Sequence, residues 1–217
     1  IDRSWIEYTS GVVPALSATI KALTQPGDKV LVQTPVYNCF FSSIRNCGCE
    51  ASECELKREA DSYVIDYDDL ERRCADERAA VLLFCNPHNP VGRVWTPEEL
   101  KTVGDICVRH GVEIISDEIH SDLMLDGHKH TCMASVSPEI AAITTTCIAP
   151  SKTFNLAGLV GSYHVIYNET LRDRVCAVSN KTHYNEMNVL SMHALIGAYQ
   201  PQGYEWADEL NEVIKGN

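Results

Sequence analysis

The chain has 217 residues, of which 45% are apolar and 22% are charged, values that are typical of a folded globular domain and argue against a disordered chain. Thirty acidic and 18 basic residues give a formal net charge of -12, and such an acidic surface disfavours nucleic acids as partners because it repels phosphate backbones. No apolar run approaches the ~18 residues of a transmembrane helix, and residues 1–20 lack the pattern of a secretory signal.

An apolar stripe with the spacing i, i+3, i+7, i+10 predicts the first helix. Its members are Val13, Leu16, Ile20 and Leu23. Pro14 lies in the first turn, where proline is tolerated, and Pro26 with Gly27 breaks the chain after the helix. The continuous apolar runs at 30–32 and 79–84 predict two strands that are buried on both faces.

The next helix has the clearest start and stop signals in the sequence. Thr96 suits the N-cap, Pro97 suits the first helical position, and Glu99 completes a Thr-x-x-Glu capping box. Gly111 ends the helix. Its apolar stripe consists of Leu100, Val103, Ile106 and Cys107.

Three further apolar runs predict strands at 112–116, 141–148 and 162–167. A last helix is predicted over 204–215, and its apolar face carries Trp206, Leu210 and Val213. Strands that alternate with helices predict an α/β fold, a three-layer αβα sandwich with a mostly parallel sheet. The sequence has no repeat and no linker, so residues 1–217 are interpreted as one domain.

Ten cysteines make up slightly under 5% of the chain, which is too few for a disulfide scaffold of this length. Cys47, Cys49 and Cys54 lack the paired spacing of zinc ligands, and no second cluster completes a tetrahedral set. We therefore predict free thiols, a reducing cytoplasm and no metal site.

Three polar segments each begin just after a predicted strand ends, at 86–92, 117–120 and 151–155. In open α/β sheets, ligands bind outside the carboxyl ends of the strands. Because all three segments are expected at that edge, their Asn, Asp and Lys side chains could form a single polar site.

Each segment also has a plainer interpretation when it is taken alone. Two Asn-Pro steps fit a rigid polar turn, Asp117 fits the cap of a following helix, and Lys152 fits an ordinary surface lysine. The sequence contains no G-x-G-x-x-G fingerprint after a strand, no Walker A loop and no G-x-S-x-G elbow. The convergence of the three segments therefore carries more weight than any one of them.

The order of four residues and three local strings resembles the fold-type-I pyridoxal-phosphate enzymes. The residues are Tyr37, Asn89, Asp117 and Lys152, and the strings are CNPHNPVG, SDEIHSD and APSKTFNLAGL. Within that superfamily, the chain is most similar to the cystathionine β-lyase and cysteine-S-conjugate β-lyase branch of the class I/II aminotransferases. This resemblance covers essentially the whole chain and implies the large domain of the aminotransferase fold.

The resemblance implies pyridoxal 5'-phosphate as the cofactor and assigns a role to each site residue. Lys152 would bind the cofactor covalently and, once displaced, would move the Cα proton of the substrate. Asp117 would pair with the pyridine nitrogen, Asn89 and His120 would hydrogen-bond the phenolic oxygen, and Tyr37 would stack on the ring. Lys152, Asp117 and Tyr37 are the implied catalytic residues, and all five are implied cofactor ligands.

The phosphate would be held by the backbone amides of Val12 and Val13, at the start of the first helix, together with Ser151. Two positions depart from the family pattern. Residue 149 is Ala where many relatives have a phosphate-binding Ser, and residue 160 is Val where aminotransferases often have Arg. Phosphate binding is therefore expected to depend more on backbone amides and on Ser151.

The implied activity is a carbon–sulfur β-lyase reaction on cystathionine or related cysteine S-conjugates, which releases a thiol, pyruvate and ammonia. An aminotransferase with the same residues is the nearest alternative, and a non-catalytic effector-binding regulatory module is an alternative of another class. The resemblance also implies a cytoplasmic homodimer that acts on a small amino-acid substrate. The family's N-terminal segment and C-terminal small domain, which carries the substrate-carboxylate arginine, are expected outside these residues. The chain alone is therefore expected to be inactive.

Overall fold

The structure, a computed structural model, describes residues 1–125 and 127–216. Its strands, in chain order, are β1 (Ile6–Thr9), β2 (Lys29–Thr34), β3 (Glu50–Glu55), β4 (Lys57–Glu59), β5 (Ser62–Val64), β6 (Ala79–Cys85), β7 (Glu113–Asp117), β8 (Thr144–Ile148) and β9 (Ser162–Ile166). The α-helices are α1 (Val12–Leu23), α2 (Cys39–Asn46), α3 (Tyr67–Cys74), α4 (Pro97–His110), α5 (Pro138–Ala142), α6 (Glu169–Thr182), α7 (Val189–Ala198) and α8 (Pro201–Lys215).

Seven strands form one sheet in the order β1-β9-β8-β7-β6-β2-β3, and β4 pairs with β5 in a separate hairpin. The pairs β2–β3, β2–β6, β6–β7 and β7–β8 are parallel. Among the described strands of this sheet, β9 alone points in the opposite direction, because it is antiparallel to both of its neighbours, β1 and β8. The predicted mostly parallel sheet is confirmed.

Helices cover both faces of the sheet. Along β2, Val30 and Val32 belong to the apolar cluster that includes residues of α1, α2 and α6, whereas Leu31 belongs to the cluster on the opposite face, which includes residues of α3, α4 and α5. Each central strand is therefore buried on both sides, as its continuous apolar run predicts. The three-layer αβα sandwich is confirmed.

Helix α4 has the start and the end that the sequence predicts. The Thr96 side chain accepts a hydrogen bond from the Glu99 backbone, and the Glu99 side chain accepts one from the Thr96 backbone. Gly111 ends the helix with a φ of 68°, a left-handed conformation that glycine adopts without strain.

Three details of the sequence interpretation are wrong. Residues 141 and 142 belong to α5, because Ser137 caps a helix that begins at Pro138, so the predicted strand 141–148 begins only at Thr144. Val13 is 36% exposed and does not belong to the buried face of α1. The last helix begins at Pro201 and buries Ala207, while its predicted apolar face is largely exposed at Trp206 and Val213.

All ten cysteines are free thiols. Within residues 1–125 and 127–216, no helix has the length and apolar character that a membrane span requires. The same residues contain no cluster of three or more His, Cys, Asp or Glu side chains that could bind a metal ion.

Candidate active site

A cavity of about 340 Å³ lies where the carboxyl ends of the central strands meet the start of α1. All eight residues that the sequence analysis selected line this one cavity. They are Val12, Val13, Tyr37, Asn89, Asp117, His120, Ser151 and Lys152. The structure therefore brings together residues that are up to 140 positions apart in the chain.

Strand register explains why these residues meet. Cys85, the last residue of β6, pairs with Asp117, the last residue of β7, and Asp117 pairs with Cys147 in β8. Because the three parallel strands end side by side, the segments that carry Asn89 and Lys152 begin at the same edge of the sheet.

Asp117 is a buried carboxylate with few partners. Its Oδ1 accepts a hydrogen bond from the Ile119 backbone at 3.2 Å, the only one that its side chain makes in the described part of the chain. Burial raises the pKa of Asp117 to about 7, the Glu118 carboxylate adds to this increase, and the Lys152 ammonium opposes it. The interpretation of Asp117 as a helix cap is wrong, because turns follow β7 directly.

Lys152 lies in the turn after β8 and is exposed on the side of the cavity. His120 is half-buried, and burial lowers the pKa of its imidazole, as does the positive charge of Lys152. The His120 ring is therefore neutral at pH 7, so one of its nitrogens can donate a hydrogen bond and the other can accept one.

Tyr37 contributes an aromatic wall to the cavity. Its ring meets Phe40 edge to face, with a centroid distance of 6.0 Å and an interplanar angle of 83°. A hydrogen bond with Cys39 raises the pKa of the Tyr37 phenol, and burial raises it further. Tyr37 is therefore a neutral phenol at physiological pH.

The first turn of α1 faces the cavity with its backbone amides. No side chain caps this helix, and Gly11 precedes it with a φ of 114°, a conformation that a side chain would strain. The Gly11 N–H is already used, since it donates to Ser162 Oγ at 3.0 Å. Val12 and Val13 therefore present uncapped N–H groups at the positive end of a helix, where an anion is stabilised.

Several lining residues were missed by the sequence analysis, namely Ser10, Gly11, Pro14, Cys85, Ile119, Ala157 and Gly161. Cys85 could have been predicted from the sequence, because it directly follows the predicted strand 79–84. Val160 also lines the cavity and has a φ of 48°, which is rare for a β-branched residue and carried no sequence signal. Ala149, the other departure from the family pattern, is buried.

A second cavity of about 620 Å³ adjoins the first and shares Asn89 and His120 with it. It lies between the segment after β6 and the segment after β7. Its apolar lining includes Pro87, Pro90, Val94, Leu123 and Met124. The first cavity therefore continues into a larger space that both apolar and polar side chains line.

The chain is an α/β protein with a mostly parallel sheet, and its pocket at the carboxyl edge and its uncapped helix form a candidate site for a small anionic ligand. The family model for aminotransferase class I and II matches residues 2–214. The chain belongs to this family.

Individual relatives are similar over nearly the whole chain. Cystathionine beta-lyase PatB of Bacillus subtilis is 43% identical over 212 residues, which cover 98% of this chain and 54% of that protein. Cystalysin from Treponema denticola, whose crystal structure contains pyridoxal 5'-phosphate, is 40% identical with a TM-score of 0.97 and covers 100% of this chain and 55% of that one. A PLP-bound putative aminotransferase from Clostridium difficile is 41% identical with a TM-score of 0.95, and the match covers 100% of this chain and 55% of that one. The chain thus spans about half the length of these relatives.

Proposed function

We propose that the whole protein is a pyridoxal-phosphate-dependent carbon–sulfur β-lyase that cleaves cystathionine or related cysteine S-conjugates. The observation that carries this proposal is the meeting of Lys152, Asp117, Asn89 and His120 around one cavity beside an uncapped helix. Similarity to PatB and to cystalysin supports it. The products are a thiol, pyruvate and ammonia.

The residues present fit the cofactor. Asp117 is buried with a single side-chain hydrogen bond within the described residues, and a cationic pyridine nitrogen is the partner that would keep it ionised. The first turn of α1 offers Val12 and Val13 amides to a phosphate, and Ser151 adds a hydroxyl. Tyr37 would cover the ring, while Asn89 and His120 would hydrogen-bond its phenolic oxygen.

When bound, the cofactor supplies an electron sink for the charge that develops at Cα of the substrate. Lys152 Nζ would hold the cofactor covalently, and the same amine would remove the proton from Cα of the substrate. Asp117 would hold the proton on the pyridine nitrogen of the cofactor. The bond between Cβ and sulfur would break with the electron pair left at Cα, and the sulfur would leave as a thiol with the proton that Lys152 carries. Water would then hydrolyse the remaining three-carbon fragment to pyruvate and ammonia.

Product analysis of the full-length protein with cystathionine tests the proposal. A lyase gives homocysteine, pyruvate and ammonia in equal amounts without any added 2-oxo acid. An aminotransferase consumes a 2-oxo acid acceptor and releases no thiol, which would overturn the proposal in favour of the nearest alternative. Binding of the cofactor without turnover of any amino acid would favour the regulatory module.

In this proposal, residues 1–217 form the large cofactor-binding domain, and the arginine that binds the substrate carboxylate lies outside them. The protein acts as a cytoplasmic homodimer. Ten free cysteines support a reducing compartment. Exposed apolar side chains on α7 support association, since Val189, Leu190 and Ile196 are each more than half exposed.

A further inference from the structure

Glu118, the residue after Asp117, is a buried carboxylate that lies outside the cavity lining. It is 1% exposed, and three donors surround it. Ser116 Oγ and the Met133 backbone N–H donate to Oε1 at 2.8 and 2.9 Å, and His130 Nε2 donates to Oε2 at 2.7 Å. A buried carboxylate with this many donors is held in one orientation, because losing a donor leaves charge without compensation.

These bonds connect the pocket to a segment farther along the chain, residues 130–133. The same segment accepts a hydrogen bond from the chain segment that follows β6, since Asn86 Nδ2 donates to the Thr131 carbonyl at 2.9 Å. The two chain segments that carry Asn89 and Asp117 are thus both tied to residues 130–133.

Asp117 itself depends on its backbone for position, because one hydrogen bond from Ile119 does not fix a carboxylate. The backbone on its carboxyl side is held by Glu118, whose N–H donates to the Cys147 carbonyl at 2.9 Å and whose side chain binds residues 130–133. A shift of this backbone would move Asp117 and His120 together.

We infer that Glu118 and His130 are positioning residues of this site, whose buried hydrogen bond sets where Asp117 and His120 lie in the cavity. The inference rests on the proposed function for its catalytic consequence. His130 is the member of the pair that substitution can probe most cleanly, because its side chain is 13% exposed while that of Glu118 is 1% exposed.

The test uses the full-length, cofactor-loaded protein with His130→Leu and His130→Gln. The leucine variant leaves Glu118 Oε2 without its donor, and we expect kcat for cystathionine to fall about 100-fold, the scale of an ångström-sized misplacement. We expect KM to stay within about twofold, since substrate-binding groups are untouched. The absorption maximum of the bound cofactor shifts and its dissociation constant rises in the same variant. The glutamine variant recovers most of these properties, because its amide can donate to the same oxygen.

A second Glu–His pair provides the matched control. Glu71 accepts a hydrogen bond from His110 and joins α3 to α4 away from the cavity, so Glu71→Gln should leave cofactor affinity, spectrum and kcat unchanged. Should His130→Leu fail to fold, Glu118→Gln takes its place, because it keeps an oxygen for Ser116 and Met133 but loses the carboxylate partner of His130.

The inference is overturned if a folded His130→Leu or Glu118→Gln protein keeps the wild-type spectrum, cofactor affinity and kcat, or if His130→Gln behaves no better than His130→Leu. The proposed function fails separately, when the wild-type protein binds the cofactor but does not cleave cystathionine. In that case, the spectra and cofactor affinities of the variants still decide whether the pair positions the site.

Discussion

The carboxyl edge of the sheet and the β8–β9 region both contain buried polar side chains without full partners. At the edge, Asp117 has one side-chain hydrogen bond within the described residues, and it faces a cavity of about 340 Å³. In β9, both ring nitrogens of His164 lack a partner in the described part of the chain, and the side chain is completely buried. A ligand can complete the bonding of Asp117, whereas His164 lines neither of the two cavities described above.

Burial shifts the two groups in opposite directions, because it disfavours whichever form is charged. It raises the pKa of Asp117 to about 7 and lowers the pKa of His164 to about 4. Asp117 is the open site, because a cavity adjoins it, and a bound cation there can restore the ionised carboxylate. His164 is the sealed site, because it lines neither cavity; its imidazole stays neutral, so its lowered pKa corresponds to a cost in stability. An unpartnered buried group therefore indicates function only where a cavity adjoins it.

The largest expected effect is at Lys152, and it tests the open site directly. Borohydride reduction of the full-length, cofactor-loaded protein, followed by peptide mass spectrometry, should place the pyridoxyl adduct on Lys152. Lys152→Ala should lower kcat by at least about four orders of magnitude, the scale of losing a covalent catalytic group. An adduct on Lys129 or Lys181 would show that the site has been misplaced.

Asp117→Ala comes next. Without the carboxylate, the proton affinity of the pyridine nitrogen is lower, so kcat should fall by about two to three orders of magnitude while the covalent adduct still forms at Lys152. Asp105 on α4, whose side chain is 46% exposed and pairs with Lys101, gives the control Asp105→Ala, which should retain wild-type turnover. A near-wild-type kcat in Asp117→Ala would show that Asp117, although it lies beside a cavity, has no more catalytic role than His164.

For the sealed site, the expected effect is a loss of stability at acid pH. Below about pH 6.5 the unfolded chain binds a proton at His164 that the folded chain does not bind until about pH 4, so stability falls as the pH drops across this range. The pKa difference corresponds to about 3 kcal/mol. Denaturant unfolding of the wild type and of His164→Leu, measured from pH 7 to pH 4, should show a loss of stability that is about 3 kcal/mol larger in the wild type.

An exposed histidine on α7 supplies the control for that measurement. His193→Gln should reproduce the acid profile of the wild type, because it leaves His164 in place. If His164→Leu loses stability at acid pH as steeply as the wild type does, His164 has a partner or a solvent path that the buried geometry does not show.

The sequence predicted the parts of this molecule whose physical signals are local. The apolar runs of β2 and β6 are continuous because both faces are buried, and the ends of α4 carry a capping box and a glycine. The eight site residues were found through a family resemblance and through the expectation that strand ends meet at one edge. That they line one cavity is a property of the strand register.

Elements without a local signal were missed. Strand β3 lies at the sheet edge and reads Glu-Ala-Ser-Glu-Cys-Glu, so its charged residues hide the strand. Helix α7 is apolar nearly all round and has no amphipathic period. The Glu118 bonds to residues 130–133 join positions 12 and 15 apart, and no sequence pattern predicts such contacts.

The smallest expected effect is at Thr96, whose side chain has its hydrogen-bond partner at the start of α4. Thr96→Ala removes the hydroxyl that accepts the Glu99 N–H, so the free energy of unfolding should fall by about 1 kcal/mol. Thr96→Ser keeps the hydroxyl and should recover most of that stability. Glu99 is a poorer choice, because it also binds Arg93 near the adjoining cavity. Urea unfolding, together with kcat of the full-length variant, measures both properties. Stability should change while kcat does not, and a drop in kcat beyond about twofold would show that this helix start is coupled to the pocket.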